Sequence, residues 1–272
     1  MYKNNYSKAM NEKDIIIKLI RHKLKWSVGA RRLFKKSYNT TYTRATQDQI
    51  YEFGINRLYP MLDERDEVIS RDQWDLDGLV GETEKQLFHP HYEILKDYIF
   101  KHHQRKHDIL VIFECSNSKP YKNNALLKYY TKRYSDIADF ACISNPGIIP
   151  LEYSNHYPYR YDEWNHFKET QEIEDKYVEV NTKRFKEYID HFGYKEIIVL
   201  MQHHKPRRLF DELPPDPHIH IIIDKQFEEE LLDKYESQYK TRGFIYTRML
   251  KLKEVHQRFD KIIKEVERNL HK

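Results

Sequence analysis

Four short apolar runs mark the later two-thirds of the chain: Ile109 to Phe113, Ile137 to Ile143, Ile197 to Met201 and Ile219 to Ile223. They are rich in β-branched residues and continuous rather than alternating, the pattern of strands buried on both faces of a sheet. Between them, His91 to His103, Asn124 to Tyr134 and Ile173 to Phe192 carry apolar residues at helical spacing. The order is therefore helix, strand, helix, strand, long connection, helix, strand, loop, strand. That order predicts a three-layer α/β domain with a short, largely parallel sheet. From Leu231 onward the pattern is helical, with a last helix from about Thr247 to Leu270. Before the α/β part, Asp14 to Ile20 and Ala45 to Leu62 also read as helices, separated by the polar stretch Ser37 to Thr43. Residues 61–84 are acidic and include Gly78 and Gly81, as in an exposed connection. The expected organisation is a helical region with its acidic connection at 1–85, an α/β core at 86–226 and C-terminal helices at 227–272.

Charge sharpens this division. Residues 1–47 hold twelve Lys or Arg against only Glu12 and Asp14, while the whole chain nets +4, so everything after the first segment is net negative. Lys23, Lys25, Arg31, Arg32, Lys35 and Lys36 are interleaved with Trp26, Phe34 and Tyr38. Cations neutralise phosphates and rings stack on unpaired bases, so this segment is a candidate nucleic-acid contact. A solvated pair of amphipathic helices with its rings in the core produces the same pattern.

Composition excludes several classes. Aromatics make up 14% of the 272 residues, with 22 Tyr and 13 Phe, which argues for a packed core in spite of the high charge. No apolar stretch approaches the roughly 20 residues that cross a bilayer, and the polar start Met1 to Tyr6 lacks the apolar stretch of a signal peptide. A cytoplasmic protein without a membrane partner is expected. Two cysteines, Cys115 and Cys142, are too few for a disulfide framework or a four-cysteine zinc site. With 7 Gly there is no glycine-rich phosphate loop, and no cofactor is expected.

In parallel sheets ligands bind outside the carboxyl ends of the strands, which directs attention to two loops. The first, Glu114-Cys115-Ser116-Asn117-Ser118-Lys119-Pro120-Tyr121, brings a thiol, hydroxyls, an amide and a cation out of a buried strand. The second runs from Ser144 through Gly147 to Glu152 and on to Tyr157-Pro158-Tyr159-Arg160-Tyr161-Asp162-Glu163-Trp164. Together they supply stacking rings, hydrogen-bond donors, a cation and carboxylates, the components for holding a planar heterocycle. Cys115 is a candidate nucleophile, with a small packed residue as the alternative. Lys119 suits a phosphate or base edge. Asp162 suits a base N–H or proton transfer, or a simple turn. Tyr121, Tyr161 and Trp164 are stacking candidates, with core packing as the competing role.

These residues resemble a known family. His89-Pro90, a helix, then a strand ending in Cys115-Ser116 with Lys119-Pro120-Tyr121 is similar to the core domain of archaeosine synthase, a paralogue of tRNA-guanine transglycosylase, where P-C-S-x-x-K-P-Y is read. Ser144, Gly147, Ile148, Ile149, Pro150, Glu152, Tyr157-Pro158 and Tyr161-Asp162 are similar to its second motif, S-P-x-G-[IV]-[IV]-P-x-E followed by Y-P and Y-D. The resemblance covers roughly residues 87–225. It implies a uracil-DNA-glycosylase-like fold and chemistry on a 7-cyano-7-deazaguanine base in tRNA, whose nitrile takes up an amine, free lysine. It further implies tRNA as partner, with Cys115, Lys119 and Asp162 in catalytic roles and Ser116, Tyr121, Ser144, Gly147, Glu152, Tyr161 and Trp164 around the base. The chain departs from the family at Glu114, where Pro is expected, and at Asn124 and Leu127, where Ser and His are expected. No transglycosylase barrel precedes the motifs, so RNA would be gripped by the basic segment or by a partner subunit.

Two further groups stand outside the motifs. His218 and His220 share one face of a strand with Asp224, but local spacing fixes no third ligand and no metal is expected. Arg207 and Arg208, beside His203-His204 and Lys205, read as anion or RNA contacts. Three functional classes stay open: amidation of a nitrile on a tRNA base, a binding module without chemistry, and a glycosylase-like enzyme on a modified base in DNA.

Overall fold

A computed structural model describes residues 80–81, 84–115, 121–154, 163–164, 170–202, 205–239, 241–242, 245 and 248–272. Strand β1 is Val80–Gly81, helix α1 Glu84–Leu87, α2 Pro90–His102, β2 Ile109–Glu114, α3 Ala125–Tyr134, β3 Ala138–Ser144, β4 Gly147–Pro150 and β5 Glu163–Trp164. Helix α4 is Gln171–Phe192, β6 Glu196–Leu200, α5 Lys205–Asp211, β7 Ile219–Ile221, α6 Lys225–Glu236 and α7 Lys253–Leu270.

The main sheet has the order β4-β3-β2-β6-β7. Strands β3, β2, β6 and β7 are parallel and only β4 runs against its neighbour. This is the α/β class the apolar runs predict, and β2 at its centre is buried on both sides from Ile109 to Phe113. Helices α3 and α7 cover one face: Tyr130 and Phe259 lie 4.4 Å apart between ring centroids, the Tyr130 hydroxyl is 2.6 Å from His256 Nδ1, and Tyr134 donates to Asp260. Helices α2, α4 and α5 cover the other, through pairs such as Phe100–Tyr188 and Phe185–Phe210. The separate pair β1–β5 is parallel and two residues long.

Local chemistry fixes the helix ends. The Asn124 side chain accepts from Leu126 N and Leu127 N at the start of α3, Thr170 from Ile173 N at the start of α4, and Asp224 from Phe227 N at the start of α6. Gly193 ends α4 in the left-handed region with φ 65°. Helix α7 buries Val255, Phe259, Ile263 and Val266, one stripe at helical spacing. It starts six residues later than Thr247, because Met249–Lys251 forms a separate 3-10 turn.

Two stretches read as loops are ordered elements. Strand β4 follows a two-residue turn, with Ser144 opposite Gly147, and it folds the second loop back along β3. Gly147 takes φ +100°, a conformation that strains any residue with a Cβ. The connection between β6 and β7 contains α5, too short to show a clear period. Among the described residues, no helix is long and apolar enough to cross a membrane.

Candidate functional site at the carboxyl edge

From β2 the chain passes through α3 to β3 on one side, then through α4 to β6 on the other. The two connections leave in opposite directions, so β2 and β6 flank a topological switch point, the place where open parallel sheets bind ligands. Glu114 ends β2 and Gln202 lies two residues beyond β6. Both N–H groups of Gln202 converge on Glu114: the backbone N donates to Oε2 at 3.0 Å and Nε2 to Oε1 at 3.3 Å. Burial pushes the Glu114 carboxyl up to about 7, opposed by the backbone and side-chain hydrogen bonds from Gln202. Cys115, the next residue, is half-buried and packs partly against the core.

Tyr121 and Ser144, the described ends of the two expected loops, meet beside this pair, since Glu114 lies opposite Ile143 in the sheet. The Tyr121 hydroxyl donates to Ser144 Oγ at 3.0 Å, and both residues are buried. That corrects the expectation for Tyr121: a ring with no exposed surface cannot stack on a base, and its role is to tie the first motif to the second. Ser144 is likewise 2% exposed and turned into this contact. Arg184 of α4, buried, braces the turn that follows. It donates to Asn145 O at 2.9 Å, Leu87 O at 2.6 Å and Glu93 Oε1 at 2.6 Å. Burial alone would push the Glu93 carboxyl up, but Lys96 and Arg184 hold it below the usual range. The Arg184 stem covers Gly147, where an added Cβ would lie 3.1 Å from its Cδ.

Glu152 does not join this group. Because β4 runs antiparallel, it carries the chain back toward the amino edge of the sheet. There Glu152 Oε1 lies 2.8 Å from Nδ1 of buried His103, whose Nε2 is 3.4 Å from the Tyr194 hydroxyl. Tyr194 in turn donates to Asp139 Oδ2 at 3.1 Å. Ser144 and Glu152 thus sit at opposite ends of one hairpin, and a single base cannot touch both. A cleft of about 420 Å³ also lies at this amino edge, lined by residues that include Arg105, His107, Asp136, Glu267 and His271.

The basic pair on α5 divides as well. Arg207 is 2% exposed, donates to Ile223 O, and pairs with Asp211 at 3.1 Å. This corrects its reading as a nucleic-acid contact, since its guanidinium is enclosed by its own fold. Arg208 is partly exposed and held by Glu174, Asp175 and Glu212. Three carboxylates around one guanidinium leave little positive field for a phosphate.

His218 and His220 converge on one carboxylate, at 3.1 Å and 2.7 Å from the two oxygens of Glu196. Asp224, placed on the same face by the sequence, instead caps α6 and pairs with Arg258. Among the described residues no group of three His, Cys, Asp or Glu is arranged to hold a metal. Leu127, where the resemblance expects His, is buried in the core, and Asn124 is spent on its cap. Cys142 is buried in β3.

Ser116, Lys119, Tyr161 and Asp162 lie outside the described residues, as do Lys23, Lys25, Arg31, Arg32, Lys35 and Lys36. Trp164 falls on β5, paired with Gly81. Sequence reasoning missed Glu114 and Gln202 as a pair, and Arg184 entirely. The signals for Glu114 are its place directly after the first apolar run and its departure from the Pro that the resemblance expects, and nothing in the sequence joins it to Gln202, 88 positions away.

No curated protein matches the chain. One solved structure, described as the crystal structure of AF0587, a protein of unknown function, is similar to it at 14% identity with a TM-score of 0.33, covering 53% of this chain. The match spans 50% of that chain, so this chain covers about half the length of the solved structure it resembles. A family model described as a domain of unknown function, DUF5591, matches residues 95–241, from within α2 to past α6, a span that includes the switch point and both strand-end loops. The match takes in more than half of the chain, and the chain belongs to the DUF5591 family.

Proposed function

We propose that the protein handles a 7-deazaguanine base of tRNA at the carboxyl edge of its sheet, and that its reaction is addition of an amine, lysine, to the nitrile of 7-cyano-7-deazaguanine. The observation that carries this reading is the Tyr121–Ser144 hydrogen bond. It joins the two motif segments whose likeness to archaeosine synthase suggested the chemistry, and it does so next to the switch point. The basic segment 1–47 supplies the charge for the tRNA backbone.

The reaction needs no leaving group. The amine nitrogen attacks the nitrile carbon, the electron pair of one C–N π bond moves to the nitrile nitrogen, and that nitrogen takes up the proton lost by the amine, giving an amidine. A covalent variant begins with the Cys115 thiolate adding to the same carbon and leaving when the amine arrives. In either form the site must hold the ring flat and keep water from competing as nucleophile.

A second reading, a binding module without chemistry, is favoured by Leu127. Its side chain is buried in the core, and Asn124 serves as a helix cap, so neither offers a proton carrier where the resemblance expects one. Mass spectrometry of nucleosides from tRNA and DNA of a deletion strain separates the readings. Accumulation of 7-cyano-7-deazaguanosine in tRNA supports the amidation. An unchanged tRNA profile supports the binding module, and a change confined to DNA nucleosides supports a glycosylase-like enzyme.

A further inference from the structure

Gln202 stands at the mouth of the switch point between β2 and β6, partly exposed, with its side-chain nitrogen turned to the Glu114 carboxylate. A primary amide has a donor end and an acceptor end, and an unconstrained amide reads either. Here the choice is made. Above about pH 7, where Glu114 has lost its proton, its carboxylate only accepts, so the NH₂ end must face Glu114 and the Oε1 end must turn away from it. The backbone N–H of Gln202, bonded to the second carboxylate oxygen, holds the residue in this register.

We infer that Gln202 is a specificity-determining residue of the carboxyl-edge site, whose oriented amide oxygen accepts from the ring N–H of a lactam-edged base, with Glu114 as the residue that positions it. The inference rests on the proposed handling of a guanine-type base and adds what selects it. A guanine-type ring presents N–H at the position where an adenine-type ring presents a bare nitrogen lone pair. An amide oxygen opposite the first gains a hydrogen bond. Opposite the second it meets another acceptor, and the site's polar group is left unpaired in a partly buried place. Selection of this kind is on the order of tenfold or more for one well-placed polar pair. Glu114 contributes without touching the base: if it no longer forces the NH₂ end inward, the amide turns freely and accommodates both edges.

The test titrates the full chain at pH 8, where Glu114 is ionised, with 7-deazaguanosine and with 7-deazaadenosine by calorimetry, for the wild type, Gln202→Leu and Glu114→Gln, with melting temperatures to confirm folding. The wild type is expected to bind 7-deazaguanosine at least about tenfold more tightly. Gln202→Leu should lose most of that preference by weakening the guanine-type ligand alone. Glu114→Gln should reduce the preference severalfold, chiefly by strengthening the adenine-type ligand. A merely structural role would weaken both ligands together and leave their ratio unmoved. If the wild type shows no preference, or if both variants keep it, the inference is overturned while the proposed function stands. If the wild type binds neither nucleoside, free or within tRNA, the proposed function falls and the inference falls with it.

Discussion

The Tyr121 hydroxyl and Ser144 Oγ, 23 residues apart in sequence, meet at 3.0 Å in a place closed to solvent. One residue begins the turn after the first strand-end loop and the other ends β3, so this bond fixes the distance between the two segments of the candidate site. Tyr121→Phe and Ser144→Ala should each cost about 1 kcal/mol of stability, with the double variant costing less than the sum. Chemical denaturation of the four proteins measures this. Strict additivity would show that the two groups do not interact.

The turn between β3 and β4 depends on Gly147. Its positive φ and the Arg184 stem above it oppose any side chain for separate reasons, one of backbone and one of space. Gly147→Ala is expected to destabilise by about 1–3 kcal/mol. Gly193→Ala has only the backbone penalty, since nothing lies within 4 Å of its Cβ position, and should cost less in the same melting experiment.

Glu114 makes stability depend on pH. Its carboxyl titrates near 4.5 when unfolded and at about 7 when folded, so between those values the native state binds the proton more tightly. The contribution is fully present below about pH 4.5 and is lost as pH rises through 7, a change on the order of 3 kcal/mol at most. Glu114→Gln removes the titration. The difference in stability between wild type and variant should therefore shift in the variant's favour from about pH 5 to about pH 8, and a difference that stays flat across that range would contradict the assignment.

Arg207 and Arg208 are adjacent in sequence and opposite in consequence. Arg207→Met removes a buried guanidinium that bonds Ile223 O and Asp211, and should cost about 3 kcal/mol. Arg208→Ala breaks surface pairs worth about 1 kcal/mol or less. If the protein binds tRNA as proposed, neither should change the salt dependence of that binding, whereas charge-neutralising Lys35 and Lys36 should reduce the log–log slope by about one for each phosphate no longer neutralised. A shallower slope in the folded Arg208 variant would add α5 to the proposed RNA contact.

Continuous apolar runs made β2, β3, β6 and β7 legible, because a strand buried on both faces needs nothing polar along its length. The expected helix starts at Asn124 and Ile173 lie within two residues of those observed, where Asn124 and Thr170 act as caps. Strand β4 was hidden by its Gly and Pro, which read as loop residues although one forms the turn and the other ends the strand. The site was legible in part. Position after a strand puts Cys115 and Ser144 at the carboxyl edge, but position cannot tell whether a tyrosine faces a ligand or a neighbouring serine, and Tyr121 faces the serine. Glu152 misled for a topological reason, since the antiparallel course of β4 moves it to the other end of the sheet. Arg207 misled because charge in a sequence says nothing about burial, which here is set by a partner carbonyl sixteen residues away.

The central claim is that amine is added to a nitrile on a tRNA base. Purified full-length protein, incubated with tRNA carrying 7-cyano-7-deazaguanine and isotopically labelled lysine, should convert the nitrile nucleoside into an amidine that retains the whole labelled lysine, as read by mass spectrometry of the digested tRNA. Cys115→Ser should abolish that product while leaving tRNA affinity within about twofold, if the thiolate forms the covalent intermediate. A protein that binds this tRNA yet leaves the nitrile nucleoside and the label unchanged, at any lysine concentration, would contradict the claim.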